Sequence, residues 1–74
     1  MQWNPQIEAF EDFEVFEIEL TKDLTSDYMK NTPKVGERGL CGTSRLIGTE
    51  WFYWLLLDSQ SDYWICLGSS FKRI

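Results

Sequence analysis

The chain contains no histidine. Histidine is the side chain whose ordinary charge change lies near neutral pH, so the usual general base is missing and a Ser or Cys nucleophile is hard to activate. Cysteine is scarce, with Cys41 and Cys66 far apart in sequence. Two thiolates without a histidine cannot complete a four-ligand zinc site in one chain, and without export they are expected as reduced thiols in or near the core rather than as a disulfide. The stretch "GLCG" at 39–42 lacks the Lys-Ser/Thr of a phosphate loop and reads as a flexible turn. Glu17 and Glu19 form a pair of carboxylates, but a domain this small scarcely builds a cleft around them. Catalysis is not expected, nor any cofactor or metal.

Long apolar runs are also missing. A spanning helix needs about 20 apolar residues, whereas the longest run here, Trp51 to Leu57, is bracketed by Glu50 and Asp58. The N-terminus shows no basic region followed by an apolar one, so neither a signal peptide nor a transit peptide is read there and a cytoplasmic location is expected. Basic residues are absent from positions 1–20, which hold Glu8, Glu11, Asp12, Glu14, Glu17 and Glu19. The net charge of −5 therefore leaves the rest of the chain at +1, and the acidity belongs to one segment.

Aromatic residues are abundant: four Trp, five Phe and three Tyr make up 16% of 74 residues. One domain of this size has a net stability of only about 3–5 kcal/mol from a single core. Each buried ring removes roughly 150–250 Å² from water, enough to build a core from few residues. A folded globule is expected.

Asn4-Pro5 reads as a helix start, with Asn able to cap orphan N–H groups and Pro tolerated at the first helical position. Beyond it two patterns overlap. Ile7, Phe10, Phe13, Phe16 and Leu20 recur at helical steps, while "FEIEL" (16–20) alternates as a half-buried strand does. Val15, Ile18 and the aromatic density favour extended structure from about Phe13, which predicts a short helical turn near 5–11 followed by a strand. One helix through Leu20 is the alternative. Residues 21–33 are polar and punctuated and read as a connecting loop. After them come three strand-like segments separated by Gly48-Thr49 and by "SQS", the spacing of an antiparallel meander.

From Lys34 to Ile74 the order of features resembles a small SH3-like barrel. Val35-Gly36-Glu37 enters the first core strand, a Gly-rich bend follows, and Leu46-Ile47-Gly48 precedes a tight turn. Trp51-Phe52-Tyr53-Trp54 leads a long central strand, then come a polar hairpin, Trp64-Ile65, a turn at Gly68-Ser69-Ser70 and a last strand with Phe71 and Ile74. The resemblance implies a mainly β barrel of about five antiparallel strands, 34–74, carrying an acidic N-terminal segment, 1–33, within a single domain. It implies barrel topology and not polyproline recognition.

On a strand, Trp51, Tyr53, Leu55 and Leu57 lie on one face and Phe52, Trp54 and Leu56 on the other. One set fills the interior, so the other needs a cover: the N-terminal segment with Phe10, Phe13 and Phe16, a second copy, or a different protein. Contiguous apolar patches on monomers rarely exceed a few hundred Å². The expectation is a non-catalytic protein-binding module whose contact residues are Phe52, Trp54 and Leu56, with Glu14, Glu17 and Glu19 as an electrostatic rim toward a basic partner. Two further readings compete. Glu17 and Glu19 on a strand project about 6.6 Å apart, near the roughly 6.8 Å of two nucleotide steps, which would suit a phosphate mimic of the kind used by small phage inhibitors of restriction and CRISPR enzymes. Single-stranded nucleic-acid binding would use Trp51, Trp64, Arg38, Arg45 and Arg73, against the repulsion of a net acidic surface.

Overall fold

Strand structure begins at the second residue. A computed structural model, describing residues 1–74, contains one antiparallel sheet of seven strands: β1 (Gln2–Asn4), β2 (Ala9–Asp12), β3 (Phe16–Leu20), β4 (Arg38–Ile47), β5 (Glu50–Leu57), β6 (Trp64–Leu67) and β7 (Phe71–Arg73). A single 3-10 turn, Gly68–Ser70, precedes β7 and is the only helical element. No helix is long and apolar enough to cross a membrane.

The helical turn expected at 5–11 is not formed, and the single helix through Leu20 fails with it. Residues 5–8 instead reverse the chain between β1 and β2, which pair Asn4 with Ala9 and Trp3 with Phe10. The physical reason lies in Asn4. Its Oδ1 accepts a hydrogen bond from the Gln6 N–H at 3.0 Å, and an Asn side chain stabilises such a turn by the same chemistry with which it caps a helix. Glu8 completes the reversal with φ +52°, a left-handed conformation uncommon for a residue with a side chain. Across the hairpin the Trp3 and Phe10 rings meet edge to face at 5.1 Å, a favoured cross-strand aromatic pair.

In β3 the alternation of "FEIEL" is realised: Ile18 and Leu20 are buried and Phe16 half-buried, while Glu17 points to solvent. The segment from Thr21 to Glu37 makes no strand. It is pinned by Leu24 N–H donating to the Pro33 carbonyl at 3.0 Å, and at its mouth by the Leu20–Glu37 and Gly36–Leu20 backbone bonds. Leu24 and Pro33 are both buried.

"GLCG" is not a turn but the first half of β4. The sheet register shifts between Cys41 and Thr43, so Gly42 is a bulge that adds one unpaired residue and bends the strand. On one edge β4 pairs first with β3, through residues 38–41, and beyond the bulge with β2, through 44–46; its other edge pairs with β5 along its length. The β4–β5 turn is Gly48-Thr49, with positive φ (+65°) at Gly48, the position where a two-residue hairpin favours glycine. β6 adds to β5, and β7 returns to pair with β3.

The sheet is strongly curled. β7 and β5 are separated by β3 and β4, roughly 14 Å in a flat sheet at about 4.8 Å per strand, yet the Tyr53 and Phe71 rings touch edge to face at 5.0 Å. Curling places Ile18, Leu20, Leu24, Cys41, Leu55, Leu57 and Trp64 in one buried cluster, flanked by Phe16, Tyr53, Cys66 and Phe71. Both cysteines are free.

Candidate outer sheet face and acidic rim

β5 splits its side chains by pleat. Leu55 and Leu57 are buried and Tyr53 packs on the core, so Phe52, Trp54 and Leu56 project from the convex side. Residues directly opposite on paired strands share a face, and the register extends this set across the sheet. Leu40 of β4 lies beside Leu56, Ile65 of β6 beside Trp54, and Leu67 of β6 beside Phe52. Leu56 is 40% exposed and Ile65 56% exposed, while Phe52 and Trp54 are half-buried. The Arg45 guanidinium sits over the Trp54 ring at 4.6 Å, a cation–π contact that shields one side of the indole.

The phenylalanines of the N-terminal segment do not cover this face, although the register sets Glu11 on it beside Arg45. Phe10 pairs with Leu46 on the opposite side of the sheet, Phe13 is exposed, and Phe16 packs inward near Phe71 with the Arg73 guanidinium 4.2 Å above its ring. The reason is that β2 joins the sheet edge-on through backbone hydrogen bonds to β4 and β1 adds to β2, so both extend the sheet instead of layering on it.

The rim acids have unequal surroundings. Glu19 is held by Arg38 at 3.0 Å and Lys72 at 3.2 Å; these two bonds, Arg38's first, keep its carboxyl below the ordinary value of 4.5. Glu14 pairs with Arg73. Glu17 has no ion-pair partner and lines a shallow cleft of about 310 Å³ with Arg38, Leu40, Asp58 and Ile74. Two of the three acids are thus already neutralised by bases of the same chain. Glu11 is the most enclosed acid of the segment, 5% exposed; its carboxylate accepts from Arg45 Nε at 3.2 Å and from the Asn4 amide.

One feature escapes sequence reasoning. Trp3, Phe10, Leu46 and Trp51 occupy successive strands β1, β2, β4 and β5 at matching register, forming an apolar row on the concave side beyond the core. Trp3 is 53% exposed. Beside it a groove of about 180 Å³ is bordered by Asp12, Glu14, Trp51, Tyr53 and Arg73. Reading Asn4-Pro5 as a hairpin turn would have aligned Trp3 with Phe10; the step from Phe10 to Leu46 is non-local and leaves no trace in the sequence.

Comparison with protein-family models, curated proteins and solved structures finds no match to this chain.

Proposed function

We propose that the protein is a non-catalytic binding module that associates stoichiometrically with another protein through the convex face of β4, β5 and β6. Phe52, Trp54 and Leu56 form its centre, and Leu40, Ile65 and Leu67 extend it. The single observation that carries this reading is that the outward side chains of the tryptophan-rich strand are only partly covered within the chain, with Leu56 and its neighbour Ile65 exposed and Phe52 and Trp54 half-buried. Aromatic residues with a half-buried ring present much apolar area at small entropic cost, which is why they dominate interface energetics. An apolar contact of about 200 Å² at about 25 cal/mol per Å² gives on the order of 5 kcal/mol before the cost of association. Glu17 and Glu19 share the face of Leu40 and Leu56, whereas Glu14 borders the groove on the concave side, and Glu17 is the one left to attract a basic partner.

The proposed architecture is a small SH3-like barrel that begins at β3 rather than at Lys34. Three features support it: a long excursion between β3 and β4, the β4–β5–β6 meander, and a 3-10 turn leading into a last strand that returns beside the first. Phosphate mimicry finds less support, because a mimic needs free carboxylates in a row and Glu19 and Glu14 are paired.

The test is retention of a partner from the native lysate at two ionic strengths, using the wild type, Leu56→Arg and the double variant Glu17→Lys/Glu19→Lys. The same identified protein should be retained by the wild type with little salt dependence and lost at least tenfold with Leu56→Arg. Loss only with the charge reversals, together with steep salt sensitivity, would replace the apolar reading by mimicry.

A further inference from the structure

The sheet has three free edges, β1, β6 and β7. Natural proteins protect such edges with charges, proline, bulges or short strands, because an open row of N–H and C=O groups templates further pairing. β7 carries Lys72 and Arg73, and β1 is three residues long with polar Gln2 and Asn4. β6 is short as well, at four residues, but it has no charge, proline or bulge. From Tyr63 to Ser70 there is no charged residue and no proline, the β5–β6 register is unbroken, and no backbone hydrogen bond outside the β5 ladder reaches residues 64–67. Tyr63 and Ile65 are both 56% exposed.

We infer that the β6 edge is a self-association site, at which two copies of the chain pair β6 with β6 antiparallel about a twofold axis at Cys66, so that Ile65 of one copy lies opposite Leu67 of the other. Antiparallel strand pairing is complementary to itself, as an isologous interface requires. The charges fit as well. In this arrangement Asp62 of one copy falls opposite the Gly68–Ser70 turn of the other, where Lys22 Nζ is held by Ser69 Oγ at 3.4 Å; the pairing of Asp62 with the second copy's Lys22 then occurs twice by symmetry. The product is a continuous sheet in which Ile65 and Leu67 of the two copies adjoin and the two convex faces become one. A four-residue edge with these side chains lies at the small end of specific interfaces, below about 1,200 Å² in total, so the dimer is weak and concentration-dependent. This inference does not rest on the partner reading: Ile65 and Leu67 belong to both surfaces, but the β6 pairing is measured on the chain alone, with no other protein present.

The test is sedimentation equilibrium of the full chain across a wide concentration range, paired with hydrogen exchange of the β6 amides. Mass should rise toward two chains while exchange of β6 amides slows with protein concentration. Ile65→Lys should weaken the dimer at least tenfold with circular dichroism unchanged. Asp62→Lys and Lys22→Asp should each weaken it about two- to fivefold, and their combination should restore it, as expected for a surface ion pair. A single-chain mass at every concentration overturns the inference, as does a dimer unaffected by Ile65→Lys or β6 protection seen only when a different protein is added.

Discussion

Gly39 is required by the backbone that crosses it. A Cβ at this position would lie 2.3 Å from the Leu56 carbonyl oxygen and 2.7 Å from the Leu57 Cα, and neither atom can rotate away. Gly42, at the bulge, has nothing within 4 Å of the same hypothetical atom and no positive φ. Gly39→Ala is therefore expected to destabilise by about 1–3 kcal/mol and Gly42→Ala to change stability by less than about 1 kcal/mol, both read from urea midpoints. Equal effects would contradict the close approach of β4 and β5. The cysteines make a second residue-scale prediction. Burial pushes the Cys66 thiol up to about 11, and burial likewise raises Cys41. Thiolate is the reactive form, so both should react slowly with a thiol reagent near pH 8 in the native protein and quickly once urea unfolds it.

At the level of elements, local alternation is what the sequence expresses most clearly. Phe16, Ile18 and Leu20 against Glu17 and Glu19, the two-sided pleat of 51–57, and the Gly48-Thr49 turn are all legible because each depends on neighbours within a few residues. The β1–β2 hairpin was hidden because Asn4-Pro5 serves a turn and a helix start equally well, and because Phe10, Phe13 and Phe16 happen to fall at helical steps. What decides between them is the open edge of β4 at residues 44–46, which takes β2 as its partner and is 34 residues away at the Glu11–Arg45 pair. That pair, nearly enclosed, anchors the hairpin. Glu11→Ala should leave Arg45 and the Asn4 amide without their acceptor and cost about 1–3 kcal/mol, with hydrogen exchange quickening first in β1 and β2. Unchanged exchange there would show that the hairpin is held by the Trp3–Phe10 contact instead.

Over the whole molecule, the separation of charge along the sequence is undone by the fold. All four ion pairs join an acid within residues 1–20 to a base of the second half: Glu11 with Arg45, Glu14 with Arg73, and Glu19 with both Arg38 and Lys72. The acidic segment is thus a counterpart to the bases of β4 and β7, which composition alone did not reveal. A pH dependence follows. Glu19 is kept below its ordinary value by Arg38 and Lys72, and Glu37 by the Ser59 hydroxyl and then the Lys34 N–H. A carboxyl depressed in the folded state contributes stability above its unfolded value and loses that contribution as pH falls through the folded one. The urea midpoint should hold steady near neutrality and decline once pH drops below the ordinary 4.5; a midpoint that rises on acidification would contradict these pairings.

At the scale of the whole molecule the curled sheet closes its concave side over the core cluster and leaves Leu40, Leu56 and Ile65 exposed together on the convex side. The most direct measurement is a hydrogen-exchange and cross-linking footprint of the retained partner on this protein. The account predicts protection and cross-links centred on Trp54, Leu56 and their neighbour Leu40. A footprint confined to the Trp3–Phe10–Trp51 row or to Glu17 would contradict it.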